Sequence, residues 1–106
     1  MLRFCIHYGF HFIVPLIVLV CLYKHQWIPR YLFFLAGMLI DLDHLLATPI
    51  FDANRCSINY HPLHSYVAIL IYIALLIPKK TRWLGIGLLW HIFTDTLDCM
   101  MMGLFR

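Results

Sequence analysis

Four long apolar segments carry almost all of the histidine and aspartate side chains of this chain, and this combination restricts the folds open to it. The segments run from about Tyr8 to Tyr23, Tyr31 to Ala47, Leu63 to Ile77 and Trp83 to Met102. At about 1.5 Å per helical residue, each is long enough to cross most or all of a hydrocarbon core about 30 Å thick. Because 63% of the residues are apolar, 12% are charged and the mean hydropathy is +0.84, the composition is typical of a membrane protein. We therefore predict an all-α fold, a membrane-embedded antiparallel four-helix bundle that forms a single domain over residues 1–106.

Prolines stand where most of the helix ends are expected. Pro29 precedes the second segment, Pro49 follows it, Pro62 opens the third and Pro78 closes it. Pro15 is different because it lies inside the first segment, where its missing N–H leaves one carbonyl group without its helical partner. We therefore expect a kink in the first helix near Pro15.

Six of the seven histidines and four of the five acidic residues fall on one side of this predicted bundle. They stand near the beginning of the first and third segments and in the second half of the second and fourth. Because adjacent helices run antiparallel, these positions lie at the same level along the axis of the bundle. An aspartate at the centre of a membrane helix costs on the order of 2.5–3.5 kcal/mol, so we interpret the group as a metal site. The ten residues are His7, His11, Asp41, Asp43, His44, His61, His64, His91, Asp95 and Asp98.

The spacing within the first two segments favours particular ligands. His7 and His11 are four residues apart and share one helical face, although histidines at a membrane interface could also be satisfied by water. Asp41 and His44 are three apart and share a face, whereas Asp43 projects from nearly the opposite side. Asp43 is either a ligand, if the helix loosens there, or a partner or cap beside the site.

The third and fourth segments supply the remaining candidates. His64 lies in the first turn of the third helix, and His61 stands at or just before its cap, where capping is the alternative role. His91, Asp95 and Asp98 follow one another at spacings of four and three on one face. The predicted metal ligands are therefore His7, His11, Asp41, His44, His61, His64, His91 and Asp95.

This mixture of imidazole and carboxylate suits zinc first, with manganese or iron as alternatives. A catalytic zinc uses about three protein ligands and a water, so the candidates would serve one ion or two, and we favour two. A metal-activated water with Asp98 or Asp43 as its base describes a hydrolase. Arg55, in the long connection that emerges on the polar side, is the candidate for binding a substrate phosphate.

Three other functions fit the same residues. A metal transporter would need a continuous path of polar residues across the membrane. The half of the bundle away from the His and Asp residues is apolar and does not offer such a path. A haem protein would use paired histidines, but aspartates in the same layer would be poor neighbours. A structural bundle would use the His and Asp layer to fix the register of its helices. The basic residues stand at segment ends rather than in a patch, so we do not expect nucleic acid binding; a homo-oligomer stays open.

The positions of the basic residues predict the orientation. Five lie in the first and third connections, namely Lys24, Arg30, Lys79, Lys80 and Arg82, and three lie on the other side, namely Arg3, Arg55 and Arg106. By the positive-inside rule, both termini and the polar side face outward. Cysteines are interpreted first as small buried apolar residues. Cys5, Cys56 and Cys99 are on the polar side, so a disulfide or a thiolate ligand among them stays open.

The chain also resembles a known family. The run HFIVPL at residues 11–16, DLDHLLATPIFDANRCS at 41–57, HPLHSY at 61–66 and the His91 to Asp95 pair are similar to those of an uncharacterised family of small bacterial four-helix membrane proteins. That family in turn resembles the inner-membrane-associated, metal-dependent hydrolases. The resemblance implies a multi-pass protein of the bacterial inner membrane. It also implies a metal site at His7, His11, Asp41, His44, His64, His91 and Asp95. The function we favour is a zinc-dependent hydrolase that acts at the membrane surface on a phosphoester of a lipid or lipid-linked headgroup.

Overall fold

The computed structural model describes residues 2–41, 56, 58 and 62–104, and these residues form helices and short connections without a strand. Helix α1 (Leu2–Tyr8), a π-helical turn (Gly9–Ile13) and α2 (Val14–Leu22) follow one another without a break. Helix α3 (Trp27–Gly37) passes into a 3₁₀ turn over residues 38–41. A 3₁₀ turn (Pro62–His64) precedes α4 (Tyr66–Ala74), and α5 (Arg82–Leu104) ends the described chain. Because α1, the π-helical turn and α2 form one continuous helix, the prediction of an all-α fold with four helices is confirmed.

The helix boundaries differ from the predicted ones by a few residues. The first helix begins at Leu2 and α3 begins at Trp27, each earlier than expected. Pro29 lies inside the first turn of α3, a position that proline tolerates because the N–H there has no helical partner. Arg30, which was expected in the first connection, therefore belongs to α3.

A π-helical turn lies directly before Pro15, in the region where the sequence predicts a kink. The N–H group of Val14 bonds to the carbonyl of Gly9, five residues back, and Pro15 follows with no N–H to donate. The carbonyl of Phe10 therefore loses its usual donor, Val14, and accepts a hydrogen bond from Trp90 Nε1 at 2.6 Å instead. Two residues on, the carbonyl of Phe12 accepts one from Tyr31 Oη at 2.9 Å. The turn thus links the first helix to both α5 and α3.

Glycines allow α5 to pack closely against its neighbours. A side chain at Gly87 would collide with the backbone of Phe33 on α3, and one at Gly37 would lie 2.9 Å from the carbonyl oxygen of Gly87. A side chain at Gly85 would lie 2.9 Å from the carbonyl oxygen of Tyr72 on α4. Close backbone approach through small residues is a typical way of packing membrane helices. Helix α5 consequently lies between α3 and α4 and carries its polar residues into the interior.

The two ends of the bundle have different characters. At one end the Arg30 guanidinium lies 4.0 Å from the centre of the Tyr23 ring and 5.2 Å from that of Trp83, so the first and third connections meet there. At the other end the side chains of His11, His64 and His91 lie against Asp95. The apolar residues packed around α5 separate these ends, and they include Ile40, Ala68, Tyr72, Leu88 and Ile92.

One helix in the described part of the chain, Phe4–Leu22, is long and apolar enough to cross a membrane, a test of length and composition alone. Helices α3 and α4 are shorter than a membrane span over their described residues, with 11 and 9 residues. Helix α5 has 23 residues but includes His91, Asp95 and Asp98, which lower its hydropathy. The prediction of four membrane spans is therefore supported for the first helix only.

Candidate metal centre

Four side chains from three parts of the chain converge on one point. Asp41 lies in the 3₁₀ turn after α3, His64 lies in the 3₁₀ turn before α4, and His91 and Asp95 stand one turn apart on α5. His64 Nε2 lies 2.8 Å from Asp95 Oδ2 and 3.4 Å from Asp41 Oδ1. His91 Nε2 lies 3.1 Å from Asp95 Oδ2 and 3.0 Å from Asp41 Oδ1. The two Nε2 atoms are 3.3 Å apart.

These separations are those of ligand atoms around a metal ion. Four atoms placed tetrahedrally at about 2.0–2.1 Å from zinc lie about 3.3–3.4 Å from one another. The five distances among the Nε2 atoms of His64 and His91 and the oxygens of Asp41 and Asp95 run from 2.8 to 3.4 Å. The site therefore needs little movement to hold an ion of this size.

Hydrogen bonding alone does not account for the cluster. His91 Nε2 has three polar neighbours within 3.3 Å, namely His64 Nε2, Asp41 Oδ1 and Asp95 Oδ2. An imidazole nitrogen offers either one proton or one lone pair, so it can satisfy one of them well. Asp95 Oδ2 is buried without a hydrogen bond of good geometry among the described residues. A cation among the four atoms would use all of them at once.

A second group of ligands lies on the other side of the same carboxylate. Asp95 Oδ1 is 3.2 Å from His11 Nε2 and 3.7 Å from His7 Nε2. The rings of His7 and His11 meet edge to face with their centres 4.5 Å apart. His7 Nδ1 in turn lies 4.0 Å from Asp98 Oδ2. His7, His11 and Asp95 together could also hold an ion.

Burial raises the free-energy cost of a charged side chain in this region. Relative exposure is 3% for His11, 0% for His64, 1% for His91 and 5% for Asp95. An ionised carboxylate so deeply buried must be paired or must coordinate a metal. Asp41 is the accessible member of the cluster, with a side chain that is 35% exposed. Among the described residues of the cluster, the exposed surface is therefore mainly at Asp41.

Hydrogen bonds from neighbouring side chains fix the backbone beside the histidines. Trp90 and Tyr31 bind the carbonyls on either side of His11, as described for the π-helical turn. Tyr72 Oη donates to the carbonyl of Leu63 at 2.7 Å, which holds the turn that presents His64. The next residue, Ser65, caps α4 by accepting the N–H of Ala68 at 3.2 Å.

Met38 contacts a candidate ligand directly. Its Sδ atom lies 3.2 Å from His91 Nδ1, the ring nitrogen that faces away from the cluster. A proton on Nδ1 leaves the Nε2 lone pair free to face a metal. Met38 therefore helps to select the tautomer of His91 that binds an ion.

The predicted site residues fall into three sets. The structure brings together six of the predicted ligands: His7, His11, Asp41, His64, His91 and Asp95. Asp98, predicted as a base, lies near His7 and belongs to neither ligand group. Four predictions lie outside the described residues, namely Asp43, His44, Arg55 and His61.

Sequence reasoning missed the side chains that support the ligands, in particular Met38, Tyr31, Tyr72 and Trp90. Met38 stands three residues before Asp41, and Trp90 stands directly before His91, but adjacency in sequence does not reveal which atoms a side chain reaches. Their contacts depend on how the helices pack.

Of the roles left open for the cysteines, the structure shows a disulfide. Cys56 and Cys99 are joined, which ties the long connection to α5 one turn beyond Asp95. Cys5 and Cys21 are free and exposed, so they are not the small buried apolar residues that were expected.

Comparison with known proteins identifies a family but not a function. No curated protein and no solved structure matches the chain significantly. The model of a family of unknown function, DUF6122, matches residues 1–102. Because this match spans nearly the whole chain, the protein belongs to the DUF6122 family.

Proposed function

We propose that this protein is a metal-dependent hydrolase embedded in a membrane, which uses a water molecule activated by a bound metal ion. The observation that carries this proposal is the convergence of His64, His91, Asp41 and Asp95 at separations of 2.8–3.4 Å. Imidazole and carboxylate ligands of this kind are common in hydrolytic metal sites. Zinc is the first choice, with manganese or iron as alternatives, because calcium and magnesium prefer oxygen ligands.

The exposed edge of the cluster gives water and substrate access to the ion. Asp41 is 35% exposed, whereas His64, His91 and Asp95 are almost fully enclosed. Zinc can expand to five ligands and manganese favours six, so a position for water remains beside Asp41. When bound, the ion would lower the pKa of a coordinated water towards about 7.

The chain's own carboxylates then move the proton. We assign this role to Asp98 or to Asp43, which lies outside the described residues. In phosphoester hydrolysis, water adds to phosphorus as the carboxylate takes its proton. The bond between phosphorus and the ester oxygen breaks, and that oxygen receives the proton as the alcohol leaves.

The distribution of apolar side chains supports the membrane part of the proposal. The buried polar side chains are His11, His64, His91, Thr94 and Asp95, whereas large apolar side chains are exposed on every helix. Exposed examples are Leu2, Ile17, Ile28, Leu32, Val67, Leu70 and Phe93. Apolar exposure on this scale is unfavourable in water and is expected for helices that face lipid.

We place the protein in the bacterial inner membrane as a multi-pass protein with its polar end and both termini outside. The basic residues at the opposite end support this orientation through the positive-inside rule. The Cys56–Cys99 disulfide, at the metal end, supports it as well because disulfides persist in the periplasm and not in the cytosol. A site near the outer surface would meet lipid headgroups, so we propose a phosphoester of a lipid or lipid-linked headgroup as substrate, with Arg55 as its phosphate ligand.

A structural metal site is the second candidate. Four protein ligands can fill a tetrahedral zinc site completely, which is typical of structural rather than catalytic zinc. In that case the ion would fix the register of α3, α4 and α5 without any reaction. A haem is disfavoured because His64 and His91 point their Nε2 atoms at each other across 3.3 Å, without room for a porphyrin.

Elemental analysis of detergent-purified protein tests the proposal. The unmodified chain should contain stoichiometric zinc, manganese or iron, and a His64→Ala, His91→Ala double variant should lose it. His25→Ala is the matched control because His25 is exposed and lies outside both ligand groups. The loaded protein should then hydrolyse members of a phosphoester panel at least tenfold faster than the double variant. Stoichiometric metal without such hydrolysis would favour the structural site, and failure to retain any metal would refute both functions.

A further inference from the structure

The two oxygens of Asp95 face different sets of histidines. Oδ2 lies within 3.1 Å of His64 and His91, and Oδ1 lies 3.2 Å from His11 and 3.7 Å from His7. A carboxylate that meets ligands on both oxygens has the arrangement of a bridge between two ions. We propose that Asp95 bridges a pair of metal ions, the second held by His7, His11 and Asp95 Oδ1. This inference rests on the metal site of the proposed function and extends it.

The histidines of the second group have the geometry of a ligand pair. His7 and His11 both direct Nε2 at Asp95 Oδ1. A hydrogen bond explains the shorter contact, but a separation of 3.7 Å is too long for a second one. An ion placed among the three atoms would engage both imidazoles, and the edge-to-face packing of the rings leaves their Nε2 atoms free to converge.

Asp98 completes the surroundings of His7. His7 Nδ1 is buried without a hydrogen-bond partner among the described residues, and Asp98 Oδ2 is the carboxylate nearest to it at 4.0 Å. Metal-binding histidines commonly donate their second N–H to a carboxylate. A small rotation of His7 towards an ion and of Asp98 towards Nδ1 would establish this bond. In this two-ion site Asp98 positions His7 for the second ion, and Asp43 is left as the candidate base of the proposed function.

The two ions would differ in the positions they leave open. The first has four protein ligands, including the exposed Asp41, whereas the second has three. Three protein ligands and an open position are typical of catalytic metal sites. In two-metal hydrolytic sites the ions lie about 3.5–4 Å apart and stabilise both the attacking and the leaving oxygen. The second ion would therefore add an open position to the one proposed beside Asp41.

Titration with Mn²⁺ alone, followed by electron paramagnetic resonance, tests the bridge. Detergent-purified protein stripped of metal should bind two Mn²⁺ per chain and give the broad spectrum of an exchange-coupled pair. A His7→Ala, His11→Ala double variant should bind one Mn²⁺ per chain and give an uncoupled six-line spectrum. A His7→Gln, His11→Gln variant, which keeps more of the side-chain volume, guards against loss of folding, and His25→Ala should behave like the unmodified chain.

The outcomes separate this inference from the proposed function. One Mn²⁺ per chain in both the unmodified protein and the His7, His11 variants would refute the second ion and leave the first site standing. Two Mn²⁺ with an uncoupled spectrum would refute the bridge by Asp95. No bound Mn²⁺ in any form of the protein, under conditions where zinc and iron also fail to bind, would refute the second ion and the proposed function together.

Discussion

At the scale of single residues, Asp95 is the side chain on which the polar interior depends. It contacts His11 on the first helix, His64 before α4 and His91 on its own helix. A metal ion would place positive charge beside a carboxylate that is 5% exposed and would satisfy nitrogens that a single proton cannot. The chemistry of the site therefore follows from how imidazole nitrogens are oriented, which neighbours such as Met38 control.

We expect Met38→Leu to weaken metal binding while the fold is retained. Leucine keeps the apolar volume but removes the sulfur that lies 3.2 Å from His91 Nδ1. Losing a partner of a metal-binding histidine usually lowers metal affinity by about 10–100-fold, and a thioether is a weak acceptor, so we expect about tenfold. Competition with a chromophoric zinc chelator measures the affinity.

Met100→Leu is the control for this prediction because Met100 is exposed on α5. It should bind metal like the unmodified protein. Equal affinities for the Met38→Leu variant and the unmodified chain would show that the sulfur contact does not orient His91.

At the scale of helices, α5 and the π-helical turn organise the site. Helix α5 supplies His91 and Asp95 and packs closely against α3 through Gly37 and Gly87. The turn brings His11 towards α5, and the hydrogen bond from Trp90 to the carbonyl of Phe10 holds it there at 2.6 Å. A local departure from α-helix geometry near a functional site is a recurrent use of π-helical turns.

Gly87→Ala should destabilise the protein strongly. The new methyl group would collide with the backbone of Phe33, which cannot move aside as a flexible side chain would. Overpacking typically costs about 1–3 kcal/mol, and we expect the upper end of that range because the obstacle is main chain. Denaturation in detergent, followed by circular dichroism, gives the free energy of unfolding.

Gly9→Ala provides the matched control, since no atom lies within 4 Å of a side chain built at that position. The free energy of unfolding of this variant should not fall, and alanine in place of a helical glycine favours a gain of about 0.5–1 kcal/mol. If both glycine variants lost similar stability, close packing of α3 on α5 would not be the cause.

At the scale of the whole molecule, the chain has a polar interior at one end and an apolar exterior. Arg30, Tyr23 and Trp83 meet at the opposite end, so the basic connections and the metal ligands lie apart. The Cys56–Cys99 disulfide adds an oxidised crosslink on the ligand side. Together these features support the proposed orientation, which chemistry can test.

Counting the reactive thiols tests the disulfide, and a fusion to a reporter enzyme tests the orientation. When the protein is denatured without reductant, a maleimide reagent should modify Cys5 and Cys21, and all four cysteines should react after reduction. A Cys56→Ser variant should expose Cys99 as a third reactive thiol without reductant. An alkaline phosphatase fused at the C-terminal end should be active, because this enzyme needs an oxidising compartment to form its own disulfides.

Four reactive thiols before reduction would remove the disulfide and its support for an outward-facing site. An inactive phosphatase fusion, together with activity when the enzyme is inserted in the first connection, would reverse the predicted orientation.

The sequence by itself determined the helical class and the side on which the ligands gather. These conclusions depend on local properties of the sequence, namely its periodicity and the direction of the chain. The properties are the helical length of the apolar segments, the prolines near their ends and the positions of His7, His11, His91 and Asp95 along their segments. The kink predicted near Pro15 depends on the same kind of local property, because the missing N–H belongs to one residue.

Only the tertiary structure decided which atoms meet. The decisive contacts join residues that lie far apart in the chain or on different helices. They are the contacts of Asp95 with two groups of histidines, the contact of Met38 with His91 and the hydrogen bond from Trp90 to Phe10. Helix rotation and the close approach of α3 and α5 at Gly87 set the distances of these contacts. Spacing along one helix constrains direction but not the distance to a neighbouring helix, and ligand geometry depends on that distance.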